Sequence, residues 1–334
     1  MTTDAKTSVL PAQDVTSAVE IALSVVICTY NRAPVLEGTL ESYAGLLEAR
    51  DPRIELIVVD NNSTDATAGV VESARATIPG LRYVHEPQQG LSHARNRGIC
   101  ESRGAIVAFA DDDVFFESNW ALALVDAFAR QPAAHAVGGK STPLFDGGRP
   151  DWMRDDFLIF YGDTRFGGEE RWMDFPDHPF GLNMAFRREV FEQIGYFNPR
   201  LGRIKASLLS GEESDIFERL HLKGLRTWYV PQVHLFHRIP AERTTLKWIE
   251  KRYYWQGVSD AVSDHSSSSE SRLGIFAESL KLFFKAISAA CGSNLSPRKV
   301  FWHARSLATR THVQYLIGKA IESLKIACRL SGRT

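Results

Sequence analysis

The chain has 334 residues, 44% apolar and 24% charged, an ordinary globular balance with material for one large domain or two small ones and an ample core. A formal net charge of −1 removes the electrostatic case for general nucleic-acid binding. The four cysteines, Cys28, Cys100, Cys291 and Cys328, form neither a CxxC pair nor a close Cys/His cluster, which argues against zinc or a disulfide framework and for reduced, mostly buried thiols.

Residues 1–20 are polar, expected to be mobile, and lack the apolar core of a signal peptide. No apolar run approaches the ~18 residues of a spanning helix, so the expected location is cytoplasmic. "LSVVICTY" (23–30) and "IELIVVD" (54–60) are near-continuous Val- and Ile-rich runs, the pattern of strands covered on both faces. Between them Leu36, Leu40, Tyr43 and Leu47 recur at helical spacing. Thr64 and Asp65 suit the cap of a helix that turns Val70, Val71 and Ala74 inward. "LRYVHE" (81–86) reads as a short strand, 91–102 as a helix, the run into Asp111 as a strand, and "NWALALVDAFAR" (119–130) as a helix. This alternation predicts an α/β fold on a doubly wound, mainly parallel sheet, in which ligands bind beyond the carboxyl ends of the strands. Tyr30, Asp60 and Asp111 lie at such ends.

From 141 to 181 the pattern breaks into a Gly-, Asp- and aromatic-rich stretch expected to be a functional loop. "NMAFRR" (183–188) and a helix stopping at Gly195 follow, then a helix over 211–224, one or two short strands in "WYVPQVHLFH", and a long helix over 244–262. Residues 263–271 form a Ser-rich linker by composition. The extension 272–334 carries two helical segments, 272–290 and 297–328, whose apolar faces (Leu280, Phe283, Phe284, Ile287) are mixed with Lys and Arg. It reads as an accessory hairpin packed on the domain; the alternative is peripheral contact with the inner face of the plasma membrane or with a partner.

Asp111, Asp112 and Asp113 end a buried strand side by side. If the extended geometry persists, Asp111 and Asp113 share one side and Asp112 the other. Carboxylates a few Å apart repel, and oxygen ligands suit Mg²⁺ or Mn²⁺ rather than zinc. Mg²⁺ commonly takes one or two carboxylates plus substrate phosphates, so this is a metal–diphosphate pattern.

The ordered segments "VVICTYNRAPVLEGTL", "IVVDNNSTD", "GLSHARNRGI", "FADDDV", "GLNMAFRREVFEQIGYF" and "GEESDIFERL" resemble the inverting nucleotide-sugar glycosyltransferases of family 2, which have the GT-A fold. The resemblance covers roughly residues 22–240 and implies a GT-A domain over 21–262. It further implies a nucleotide-sugar donor and a glycan, lipid-linked or small-molecule hydroxyl acceptor, with a role in polysaccharide or lipid-linked glycan synthesis. Thr29, Tyr30 and Arg32 would wrap the nucleoside, Asp60 would accept from the base, and Arg95 would reach the base or phosphates. Asp111 and Asp112 would also face the nucleotide. Asp113, with Asp111 and His237, would hold the metal. The third residue of "GEE" stands where the family usually has Asp, so Glu213 would be the general base, with Glu212 its competitor. Ser210 and Glu213 also match a capping box, which would tie Glu213 to its own backbone. Asn183 would contact donor or acceptor, and Trp152 and Trp172 would stack on sugar faces. Two alternatives stand beside this reading. A sugar-1-phosphate nucleotidyltransferase would share sheet and metal, but "CTYNRAPV" lacks its Gly-rich basic loop. A non-catalytic nucleotide-sugar-binding protein would not need the intact carboxylates.

Overall fold

The computed structural model describes residues 20–205, 207–266, 271–291 and 307–329. Residues 1–19 of the expected mobile segment 1–20, residues 267–270 of the linker and the start of the last helical segment, 297–306, lie outside these.

Strands β1 (Leu23–Thr29) and β2 (Ile54–Asp60) are buried almost throughout. Their period of two explains why both faces are apolar. Leu23, Val25, Ile27, Leu56 and Val58 enter one core with Leu36, Leu40 and Tyr43 of α1 (Ala33–Ala44) and Trp120 and Leu124 of α4 (Trp120–Arg130). Val26, Ile57 and Val59 enter a second with Ala94 and Ile99 of α3 (Leu91–Glu101) and Ile216, Phe217 and Leu220 of α6 (Glu212–Leu222). The remaining helices of these layers are α2 (Thr67–Ala74) and α5 (Val190–Ile194). Leu47 leaves the expected α1 stripe; it opens a 3₁₀ turn and is exposed. Asp65 accepts from the first amide of α2 (Thr67 N, 3.1 Å) and also from that of α1 (Ala33 N, 2.9 Å), tying the two helix starts together.

With β3 (Leu81–His85) and β4 (Ile106–Asp111), the first half is parallel in the order β3-β2-β1-β4. The second half mixes directions. β8 (Asn183–Arg187) runs antiparallel to both β4 and β6 (Ala136–Phe145), and β9 (Thr227–Ile239) pairs parallel with β6 and antiparallel with β5 (Val114–Phe116) and β7 (Arg171–Met173). β8 is reached from the 141–181 excursion rather than through a crossover helix, and it pairs antiparallel with both of its neighbours. β9 is a single strand whose register jumps from Val230 to His234 against Gly139 and Lys140. The bulge takes up Pro231, which has no amide proton for the ladder.

The 141–181 stretch is more ordered than its composition suggests. It completes β6, forms a 3₁₀ turn at Asp155–Tyr161 and adds β7. Met153, Phe157 and Tyr161 build a third core with Ile239 and Ile249. The latter belongs to α7 (Leu246–Ser266), so 263–266 are helical rather than linker. Tyr315 Oη donates to Asp260 (2.9 Å) and Lys319 pairs with Asp264 (2.6 Å), which pins this end of α7 to α9 (Leu307–Arg329). A Cβ on Gly257 would fall 2.0 Å from Tyr315 O and one on Gly318 2.0 Å from Tyr254 O, so the two helices cross where neither has a side chain. α8 (Arg272–Cys291) packs on α9. The thiols are less buried than expected: Cys100 and Cys328 are exposed and Cys28 half-buried.

Candidate active site

A cavity of about 750 Å³ lies over the carboxyl ends of β1 and β4, walled by α6 and α7. Tyr30, Arg32, Asn61, Arg95, Asp111, Asp112, Glu212, Glu213 and His237 line it. Its position follows from topology: helices diverge where the strands end, and the gap exposes strand-end side chains.

The three aspartates do not alternate. β4 stops at Asp111 and a turn over Asp112 and Asp113 intervenes before β5. Asp112 and Asp113 are therefore both buried and both gripped by Arg32, the latter at 2.8 Å. Thr29 Oγ1 donates to Asp112 Oδ2 (2.7 Å), and Thr39 of α1 donates to the Asp112 carbonyl (2.7 Å). Burial and the neighbouring Asp113 push Asp112 up to about 6 against the pull of Arg32 and Thr29. Burial opposes ionisation of Asp113 as well, but His237, Arg32 and Arg243 outweigh it and hold Asp113 well below the usual carboxylate range. Asp111 faces the cavity, one-third exposed, with Arg95 Nη2 at 3.9 Å.

His237 Nδ1 meets the Tyr161 carbonyl at 2.6 Å, and a carbonyl only accepts, so Nδ1 carries the proton. Nε2 then faces Asp113 Oδ1 at 3.4 Å. Among the described residues that oxygen has no hydrogen-bond partner. Lone pair meets lone pair unless a proton or a cation lies between them. One carboxylate and one carbonyl-oriented imidazole fit a divalent ion that draws its other ligands from phosphate and water. Asp111 is not brought to this pair, which corrects its place in the expected metal set: among the described residues no three His, Cys, Asp or Glu side chains converge.

Arg95 is only 2% exposed, and a guanidinium so buried needs acids. It finds Glu212 Oε1 (3.0 Å) and Glu213 Oε1 (3.3 Å), and its face lies over Phe197 (5.4 Å). It also lines the cavity, where the expected contact with base or phosphate would fall. Burial, then the charge of Glu213, pushes Glu212 up to about 8. Burial also disfavours ionised Glu213, but Arg95 and the hydrogen bond from Glu212 prevail and lower it. The pair thus separates into one acid and one carboxylate, the pattern of an assigned proton donor and acceptor. The capping box does not form: Gly211 is the N-cap without a side-chain bond, and Ser210 turns to Ser259 (N to Oγ, 2.9 Å). Glu213 is left free to face the cavity. A Cβ on Gly181 would lie 2.2 Å from Glu213 Oε1, so the opposite wall is bare backbone.

Asp60 is buried, its oxygens accepting from Tyr83 Oη (2.7 Å) and Ser63 N (2.8 Å), while its neighbour Asn61 lines the cavity. Asn183 is a core latch, not a substrate contact. Its Oδ1 accepts from Trp120 Nε1 (3.0 Å), and its Nδ2 donates to Lys140 O (2.7 Å) and Val233 O (2.9 Å), joining β8, β6 and the β9 bulge. Asn183→Ala leaves these groups buried and unpaired and is expected to cost about 2–4 kcal/mol of stability in chemical denaturation. Trp152 packs on Phe157 (6.0 Å), and Trp172 packs edge-on to Trp228 (4.6 Å) beneath Arg226. Neither reaches the cavity, because each fills a core seam; Ile159, Phe160, Phe180 and Leu182 line it instead. The sequence reading missed His178, which bonds Ser214 Oγ (2.8 Å) and stacks on Phe217, and missed Arg243, Arg252 and Gln256. The last three follow the final motif; the run of Arg after His237 was their one local signal.

A mixed sheet of this order, with an acidic cluster at the β4 end and a second acidic pair at the start of α6, defines a GT-A-type fold. The structure resembles a mannosyltransferase from Pyrobaculum calidifontis solved with GDP-Man and Mn²⁺ (TM-score 0.59, 23% identity, 90% of this chain and 86% of that one). It also resembles GalNAc-T7 solved with UDP, GalNAc and Mn²⁺ (TM-score 0.52, 17% identity, 72% of this chain and 51% of that one). The model of glycosyl transferase family 2 matches residues 24–195. A glucosyl-dolichyl phosphate glucuronosyltransferase of Haloferax volcanii is 30% identical over 72% of this chain and 77% of its own. The succinoglycan biosynthesis protein ExoM of Rhizobium meliloti is 29% identical over 69% and 71%. The chain belongs to glycosyl transferase family 2 and is a nucleotide-sugar glycosyltransferase of glycan synthesis.

Proposed function

We propose that the chain is an inverting transferase that moves a sugar from a nucleoside diphosphate sugar onto a hydroxyl of a lipid-linked glycan, with a divalent cation held by Asp113 and His237. The observation that carries the reading is geometric: Glu212 and Glu213 face one cavity at the start of α6, and both meet the buried Arg95 guanidinium, at 3.0 and 3.3 Å. Glu213 takes the proton of the acceptor hydroxyl as that oxygen bonds the anomeric carbon. The bond from that carbon to the diphosphate breaks on the opposite face, and its electron pair leaves with the nucleoside diphosphate. Arg95 fixes the base; Tyr30 and Asn61 border the nucleoside end. Thr29, Arg32 and Asp112 hold the loop under it, and Asp60 keeps lone pairs for a base N–H beyond those used by Tyr83 and Ser63. Bound Mg²⁺ or Mn²⁺ supplies charge neutralisation to the departing diphosphate. Incubation with a panel of nucleotide sugars, Mn²⁺ and lipid-linked acceptors tests this. Nucleoside diphosphate release is expected; pyrophosphate release would instead indicate nucleotidyl transfer, and release of neither a binding protein.

We also propose that α8 rests on a phospholipid surface. Among the described residues no helix is long and apolar enough to cross a membrane. Yet Leu273, Phe276, Leu280, Phe283, Phe284 and Ile287 form an exposed stripe at helical spacing, flanked by exposed Lys281 and Lys285. The relative named for a dolichyl phosphate substrate supports a lipid-borne acceptor. The chain is expected to sediment with vesicles containing phosphatidylglycerol, and the double variant Phe283→Glu/Phe284→Glu to stay in the supernatant. Equal sedimentation of both would reject the contact.

A further inference from the structure

The arginines of the cavity are unequally matched. Arg32 grips two aspartates, Arg95 two glutamates, and Arg243 reaches Asp113 at 3.4 Å. Arg252, on α7, has no such acid. Among the described residues its Nη2 meets only the Ser210 hydroxyl, at 3.4 Å, and its Nη1 is buried without a hydrogen-bond partner. Its guanidinium lies 5.3 Å from the Phe160 ring centroid. Arg203 lines the same wall, and among the described residues neither it nor Arg252 forms an ion pair. Burial and the nearby Arg203 lower Arg252 to about 10, with Glu213, Glu212 and Asp260 pulling the other way. Arg243 is lowered by burial too, with Arg203 and Arg32 adding to the shift. Cations so close, and one of them without a counter-charge, favour any anion that enters between them.

We infer that Arg252 and Arg203 form a second anion subsite, on the Glu213 side of the cavity, for a phosphate or carboxylate group carried by the acceptor or by the transferred sugar. The diphosphate of the donor belongs with Arg32 and Arg243, which stand at Asp113. The acidic neighbours of Arg252 are those of the base, where acceptor and sugar must meet. The guanidinium fork matches the paired oxygens of either group. Naming the substrate that brings the anion rests on the proposed transferase function; the binding of an anion does not.

Calorimetric titration with inorganic phosphate tests the subsite, first without nucleotide and then with UDP or GDP and Mn²⁺ present. Phosphate is expected to bind in both conditions. Affinity should fall at least ten-fold in Arg252→Gln and in Arg203→Gln, and recover partly in Arg252→Lys. Arg203 is exposed, so its variant keeps the fold. Two pairs of probes name the source. Preference for citronellyl phosphate over citronellol assigns the acceptor, and preference for UDP-glucuronate over UDP-glucose assigns the donor sugar. Each preference should vanish in Arg252→Gln while UDP and GDP affinity stays unchanged. Phosphate binding that is absent in the wild type, or undiminished in either Gln variant, overturns the inference, as does discrimination by neither pair. A wild-type chain that binds phosphate but no nucleoside diphosphate would overturn the transferase reading and leave the subsite standing.

Discussion

Glu213→Gln is expected to fold, to bind a donor nucleotide as the wild type does, and to lose about 10²–10⁴-fold in kcat, the usual contribution of a positioned general base. The amide keeps the shape and a hydrogen-bonding oxygen for Arg95 but cannot accept the acceptor's proton. Glu212→Gln is the internal control. Glu212 is pushed up to about 8 and carries a proton at neutral pH, so an amide reproduces its neutral state beside Arg95. Its turnover should stay within about ten-fold of wild type, because no proton acceptor is lost. The wild-type kcat/KM should hold to moderately acidic pH, since Glu213 is ionised below the ordinary glutamate range. Steady-state kinetics with saturating donor decide the matter. Near-normal turnover in Glu213→Gln, or a larger loss in Glu212→Gln, would remove Glu213 from the role of base.

Asp113→Asn should leave nucleoside diphosphate binding insensitive to Mn²⁺. In the wild type, adding Mn²⁺ to UDP or GDP is expected to tighten binding at least ten-fold over EDTA, about 1.4 kcal/mol or more. Asp113 Oδ1 and His237 Nε2 face each other at 3.4 Å, a contact that a proton on Nε2 or a divalent ion would satisfy, and only the ion makes nucleotide binding respond to Mn²⁺. Asn at 113 removes a charge that Arg32 and Arg243 also use, so circular dichroism must first show an intact fold. His237→Ala should behave alike. Calorimetry reads both variants; an undiminished Mn²⁺ enhancement in each would show that the ion, if used, is held elsewhere.

Much of the fold was legible because it rests on local periodicity. The Val/Ile runs of β1 and β2 announce strands covered on both faces, and Leu36, Leu40 and Tyr43 announce the helix between them. The second half was less legible. Antiparallel β8, the β9 bulge and the order within 141–181 depend on which strand lies alongside, and no window of sequence states that. The aspartates show the same limit. Their strand was readable, but the turn at Asp112 was not, because Arg32 and Thr39, some 80 and 73 residues earlier, hold it.

The sequence alone determined the family, the α/β character and the concentration of carboxylates at strand and helix ends, since all three reside in contiguous motifs. Only the tertiary structure decided which charge meets which. It assigned Arg95 to Glu212 and Glu213, separated Asp111 from Asp113, withdrew Asn183, Trp152 and Trp172 into the core, and brought Arg243 and Arg252 to the cavity. The reason is electrostatic: a buried charge is tolerable only beside its partner, and partners here come from segments distant in the chain.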